Sequence, residues 1–141
     1  MIVYELTFFF HRLKGFLVVE PFSLGLYSSF DSIQLAKKRY ISQPGFCDSP
    51  EAFSIRRRDV KGVVEHSEIF ETLLYFHTKD YAYEYCIELG LYGNKRMAHE
   101  ALSIFVKDNK HLFYVQDLIA EKIINRHILD KRDWEEGFTV Y

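Results

Sequence analysis

The tetrapeptide "LGLY" stands at Leu24–Tyr27 and again at Leu89–Tyr92, and whether it marks a duplicated unit decides how the rest of the chain is read. Upstream of the second occurrence, "DYAYEYCIELGLY" places Tyr81, Tyr83, Tyr85, Ile87, Leu89 and Leu91 on one side of a period-two alternation. Ala82, Glu84, Cys86, Glu88 and Gly90 fall on the other. That is the pattern of a half-buried strand. The same register in the first occurrence aligns Phe16, Val18, Phe22, Leu24 and Leu26, broken at Glu20 and Pro21, where a proline indicates an edge or a bulge. Further upstream, "ELTFFFH" (Glu5–His11) matches "ETLLYFH" (Glu71–His77). Each copy therefore opens with two strands joined by a short turn, at Arg12–Gly15 and at Thr78–Asp80.

Downstream, Ser28 or Ser29 is placed to cap a helix with Asp31 in its first turn, and Asn94 stands at the corresponding place in the second copy. Ile33, Ala36, Tyr40 and Ile41 form one apolar stripe; Ala98, Ala101, Phe105 and Val106 form the other at the same spacing. Helical periodicity kept through different residues is stronger than one matched tetrapeptide. After the helices, "QPGFCDSPEAFSI" leads to a strand at Phe53 and "KDNKH" to one near Leu112. "IRRRDVKGVV" and "VQDLIAEKII" then each read as strand, tight turn and strand, with turns near Lys61-Gly62 and Glu121-Lys122. Ile119/Ile123 and Ala120/Ile124 also fit helical spacing, and strand is the preferred reading. The expected architecture is α+β: two ββαβ(β) repeats, residues 1–66 and 67–141, with antiparallel sheets and one main helix each. They would form one pseudo-twofold domain over 1–141, because no Pro/Gly/Ser-rich linker separates them.

Composition bounds the class. The 141 residues are 48% apolar and 27% charged, which fits a globular chain and neither disorder nor a membrane protein. Aromatic residues reach 17%, favouring strands and large contact surfaces. The opening "MIVYELTFFFHRLKGFLVVE" is interrupted by Glu5, His11, Arg12 and Lys14, so a strand is expected there rather than a signal or transmembrane segment. Cys47 and Cys86 match no metal or redox spacing, and a reduced, cytoplasmic protein is expected. Residues 1–65 carry 9 Lys and Arg against 7 Asp and Glu, whereas residues 66–141 carry 9 against 13. The acidic second half suits a basic partner.

The stretches "GLYSS", "QPGFCDSPEAFSI" and "LDKRDWEEGF" (Leu129–Phe138) resemble an uncharacterised small bacterial α+β domain family. Its members run strand, strand, helix, a P-G-F-x-D-x-P-x-x-F loop, strand, and a closing D-x-x-W-x-E-G-F. Here the loop lies in copy one and the tryptophan tail in copy two, as in a degenerate tandem duplication. The resemblance implies a fold and brings no catalytic residues. In size, in its aromatic sheet and in the drift of its second copy, the chain is also similar to immunity proteins encoded beside bacterial toxins, which neutralise a toxin by sitting over its active site.

Catalytic constellations do not emerge. The six histidines include no H-x-H or H-x-x-x-H spacing, and His11 and His77 are expected as solvated residues at strand ends. Cys86 lacks the base or helix N-terminus that activates a thiolate, and no glycine-rich phosphate loop is present. Glu135 and Glu136 alternate across a strand, the wrong geometry for two carboxylates flanking a glycosidic bond. The expected function is therefore non-enzymatic protein binding without cofactor or metal: an immunity protein occluding a cognate toxin, such as a basic nuclease, through Asp130, Asp133, Trp134, Glu135 and Glu136. Trp134 would serve either as interface anchor or as a core cap. Arg56 and Arg58 complete the candidate contact residues. The alternative is single-stranded nucleic-acid binding by sheet aromatics and the arginine strand.

Overall fold

The computed structural model describes residues 1–9 and 22–132. Among them the chain is mixed α+β, with six strands and two helices. These are β1 (Ile2–Phe8), β2 (Phe22–Tyr27), α1 (Phe30–Ile41), β3 (Phe53–Lys61), β4 (Glu68–Thr78), β5 (Glu84–Tyr92), α2 (Lys95–Asp108) and β6 (Leu118–Ile128). Short 3-10 turns at Pro50–Ala52 and Lys110–Tyr114 precede β3 and β6. Two compact units result: Ile2–Arg58 with the segment from Ile128 onward, and Asp59–His127 with Met1.

In the first unit the strand order is β2-β1-β3, with β1 and β2 antiparallel. Helix α1 starts where Ser29 Oγ accepts the Ser32 amide at 3.0 Å while Ser32 Oγ accepts the Ser29 amide at 3.2 Å. A cap of this kind stabilises a helix by about 1 kcal/mol. The helix buries Ile33, Ala36 and Tyr40 against Leu6, Phe8, Leu24 and Tyr27. The loop that follows contributes to this core. Gly45 adopts φ +82 and the neighbouring Phe46 is fully buried, its ring edge-on to Phe8 at 5.0 Å and 5.1 Å from Tyr40. The P-G-F turn thus delivers an aromatic plug.

The second unit has the order β3-β5-β4-β6. Asn94 caps α2 by accepting the Met97 amide at 2.9 Å. The helix lays Ala98 and Leu102 toward the sheet, where Leu102 packs with Leu74 and Phe76 and with half-buried Tyr85, Ile87 and Leu89. Several features depart from the sequence expectation. Lys110–Tyr114, where a strand near Leu112 was expected, is a 3-10 turn, and no second strand directly follows the bend at Gly62; the turn expected at Arg12–Gly15 lies outside the described residues. Strands β3 and β5 pair in parallel, Val60 with Leu91 and Lys61 with Tyr92, rather than antiparallel. Residues 118–128 form one continuous strand without a turn at Glu121-Lys122. Finally, β5 begins at Glu84, so Tyr81 and Tyr83 belong to the turn and are exposed.

Both "LGLY" stretches contain a β-bulge. In β1/β2 the pairing steps from Glu5↔Leu26 to Thr7↔Ser23, leaving Leu6 opposite two residues, Leu24 and Gly25. In β4/β5 it steps from Thr72↔Gly90 to Leu73↔Glu88, which makes Leu89 the extra residue. Gly25 and Gly90 have φ +118 and +149, conformations that suit glycine. The bulge resets the alternation, so the two leucines do not share a face as the period-two reading expects. Leu24 and Leu89 pack on the helix side. Leu26 and Leu91 lie on the other face, opposite the buried carboxylates Glu5 and Glu71.

Candidate functional site

Arg56 and Arg58 project from β3 onto Glu5 of β1. Arg56 Nε and Nη2 lie 3.1 and 2.6 Å from Glu5 Oε1, and Arg58 Nη1 lies 3.2 Å from Oε2. The Glu5 side chain is 5% exposed and that of Arg58 10%. A buried carboxylate needs such partners, because an unpaired one is heavily penalised. Their first role is therefore to neutralise Glu5. Asp130 is likewise engaged. It accepts the Ser28 amide at 2.8 Å and the Ser28 hydroxyl at 2.6 Å, and its own amide donates to Leu26 O at 2.8 Å, pinning the corner between β2 and α1. Asp133, Trp134, Glu135 and Glu136 lie outside the described residues. In sequence, Asp130 stands four residues before Trp134, one more than the D-x-x-W spacing.

A different surface stands out in the second unit. The β4/β5 register sets Leu73 opposite Glu88, Tyr75 opposite Cys86 and His77 opposite Glu84, and directly opposed residues share a face. The intervening Leu74, Phe76, Tyr85 and Ile87 pack on the α2 side, so this face is turned away from the helix. Glu121 of β6 joins it, with Oε2 3.5 Å from His77 Nε2. Glu84, Glu88 and Glu121 are exposed.

An aromatic ladder lies among these carboxylates. Tyr75 stacks on His77 at 5.1 Å, and His77 on Tyr81 at 4.3 Å with planes 3° apart. The Tyr75 hydroxyl donates to Glu84. His77 is 3% exposed, not solvated as a strand-end histidine was expected to be. Its Nδ1 lies 2.9 Å from Thr78 O. A carbonyl only accepts, so Nδ1 carries the proton and Nε2 is the atom turned to Glu121.

Tyr81 is 58% exposed and has φ +58, which for a bulky side chain costs on the order of 1–3 kcal/mol. The turn holds it there. Asp80 Oδ1 accepts the Thr78 hydroxyl at 2.7 Å and the Ala82 amide at 3.1 Å, and these bonds, the Thr78 hydroxyl first, hold its carboxyl below the usual range. Tyr83 is exposed beside it.

Chemically, the face offers three carboxylates to cations and a ring stack to apolar or guanidinium groups, the combination that anchors and steers a basic protein. Half of it is foreshadowed in sequence, in the polar side Glu84-Cys86-Glu88 of the β5 alternation. Glu121 is not, because its place depends on β6 lying beside β4. Elsewhere in this unit Glu71 Oε1 meets His127 Nε2 at 3.2 Å, and Arg126 Nε donates to Glu68 Oε1 at 2.9 Å. Cys47 and Cys86 form no disulfide. Among the described residues no group of three or more His, Cys, Asp and Glu side chains is arranged to hold a metal ion, and no helix is long and apolar enough to cross a membrane.

No protein-family model, no curated protein and no solved structure matches this chain.

Proposed function

We propose that this is a non-enzymatic protein-binding protein that engages a basic partner through the helix-free face of β4, β5 and β6. In its most concrete form it is a cytoplasmic bacterial immunity protein that occludes a cognate toxin. The observation that carries the reading is the exposed set Glu84, Glu88 and Glu121 around the Tyr75–His77–Tyr81 stack, with Tyr81 held at positive φ. An aromatic that stacks on His77 yet stays 58% exposed at the rim of a charged face, in a strained backbone conformation, suits an anchor. The acidic tail, Asp133 to Glu136 with Trp134, is proposed as a further part of the contact. The toxin form of the reading rests on the likeness to immunity proteins. The scaffold is proposed to be two copies of one ββαβ unit, 1–66 and 67–141. Supporting this are the matched bulges at Gly25 and Gly90, the caps at Ser29 and Asn94, and the buried carboxylates Glu5 and Glu71.

The nucleic-acid alternative draws on Arg56 and Arg58, and their hydrogen bonds to Glu5 weigh against it. The test is co-purification of the chain with the product of the adjacent upstream reading frame, followed by assay of that product's toxicity. A complex that is neutralising, and is weakened at least about tenfold by Tyr81→Gly with Glu88→Gln, is expected for a central anchor pair. Absence of both complex and protection overturns the toxin form. Tight, salt-sensitive binding of a single-stranded oligonucleotide in an anisotropy titration would instead select the alternative.

A further inference from the structure

The α2 side of the second unit's sheet carries charge of the opposite sign. Between α2 and β6 lies an open groove of about 480 Å3 with Leu102 and Val106 in its lining. Its polar lining comes from His99, Ser103, Lys107, Lys110 and Lys122, with no carboxylate among the lining residues. Three elements converge on it. His99, Ser103 and Lys107 recur every four residues along one stripe of α2, and Lys110 begins the turn that follows. Lys122 comes from β6, where Leu118 and Ala120 already pack on the helix side and the alternation carries Lys122 to the same side.

Arg56 and Arg58 pair with Glu5, Arg126 with Glu68 and Arg96 with Glu100. Among the described residues, Lys107, Lys110 and Lys122 have no carboxylate within ion-pair distance. Lys107 is accounted for by the negative end of the α2 dipole; Lys110 and Lys122 have no such role. Gathering like charges around one concavity is unfavourable unless a counter-charge enters it. This occurs in the half of the chain where acids outnumber bases, 13 to 9, so average composition does not produce it.

We propose that this groove binds a small phosphate-class polyanion, such as a phosphorylated metabolite or a short polyphosphate chain. The volume lies in the range of small-ligand sites. The lysines supply cationic donors, and the His99 ring and the Ser103 hydroxyl supply further hydrogen-bonding groups. No Phe, Tyr or Trp lines the groove and the His99 imidazole is the one ring among its lining residues, so a nucleobase finds little stacking surface there, and recognition rests on the phosphoryl oxygens. The site is independent of the acidic face.

The experiment is calorimetric titration of the whole chain with tripolyphosphate at about 0.02 M and about 0.15 M salt, between which screening of exposed charges rises markedly. Saturable binding that weakens with salt is expected. Lys107→Gln, Lys110→Gln and Lys122→Gln should each lower affinity about threefold, the scale of an exposed charge pair. The triple variant should lose more than about tenfold. Lys95→Gln, exposed on α2 but outside the groove, should leave binding unchanged, and circular dichroism should show all variants folded. ATP should bind within about twofold of tripolyphosphate. No saturable binding, or binding that the folded triple variant retains, overturns the proposal. A tenfold preference for ATP or for a single-stranded oligonucleotide overturns its restriction to phosphoryl recognition.

Discussion

Gly25 and Gly90 occupy equivalent bulges, yet their surroundings make their replacement unequal. A Cβ on Gly25 would lie 2.7 Å from the Lys131 carbonyl oxygen, whereas one on Gly90 would first meet the Tyr92 hydroxyl at 3.2 Å. Backbone yields less readily than a side-chain tip. Gly25→Ala should therefore destabilise by about 2–3 kcal/mol and Gly90→Ala by about 1 kcal/mol in urea unfolding. At Glu5 the environment again decides. Glu5→Gln removes the nearly buried carboxylate charge that Arg56 and Arg58 share and should lower stability by about 2 kcal/mol or more. Arg56→Gln removes a half-exposed partner and should cost under about 1 kcal/mol. The residue types at these positions were visible in sequence as a glycine inside a strand and a charge inside an apolar run. The partners were not, because Glu5 and Arg56 are 51 positions apart.

Helix starts follow local rules, and there sequence and structure agree most closely. Ser29 and Asn94 cap α1 and α2 where a cap was expected; of the expected stripes Ile33, Ala36, Tyr40 and Ala98 are buried, Ile41, Ala101, Phe105 and Val106 are half-buried, and Leu102, outside the expected stripe, is buried. Ser29→Ala and Asn94→Ala should each cost about 1 kcal/mol, read from the shift in urea midpoint at unchanged slope. The β4–β5 turn depends on an ionised Asp80. With its folded pKa depressed by the Thr78 and Ala82 hydrogen bonds, this contribution is present above the ordinary carboxylate range, near pH ~4, and is lost as pH falls through the lower folded value. Hydrogen-exchange protection of the Ala82 amide should fall on acidification, and Asp80→Asn should remove that dependence. Strand boundaries were less legible. In β6, spacing by four at Ile119/Ile123 and at Ala120/Ile124 fits both a helix and a strand, and pairing beside β4 selects the strand.

Across the whole chain the distribution of charge matters more than its net value of −2. Adjacent residues of β6 separate the two signs: Glu121 joins the carboxylate face by His77 and Lys122 lines the lysine groove by α2. Glu121→Gln should therefore weaken only a basic protein partner and Lys122→Gln only a polyanion. The double variant should show coupling below about 0.5 kcal/mol in either titration. By itself, the sequence determined the mixed α+β class, the helix starts, most of the buried stripe of α1 and the special character of both "LGLY" stretches. All of these rest on residues within a few positions of one another, where periodicity and capping operate. Only tertiary structure decided that each tetrapeptide is a bulge that turns its leucines to opposite faces, that β3 runs parallel to β5, that Arg56 and Arg58 are drawn to Glu5, and that Glu84, Glu88 and Glu121 share a surface. Strand pairing and register choose those neighbours, and a period-two pattern specifies a face without specifying which strand lies beside it.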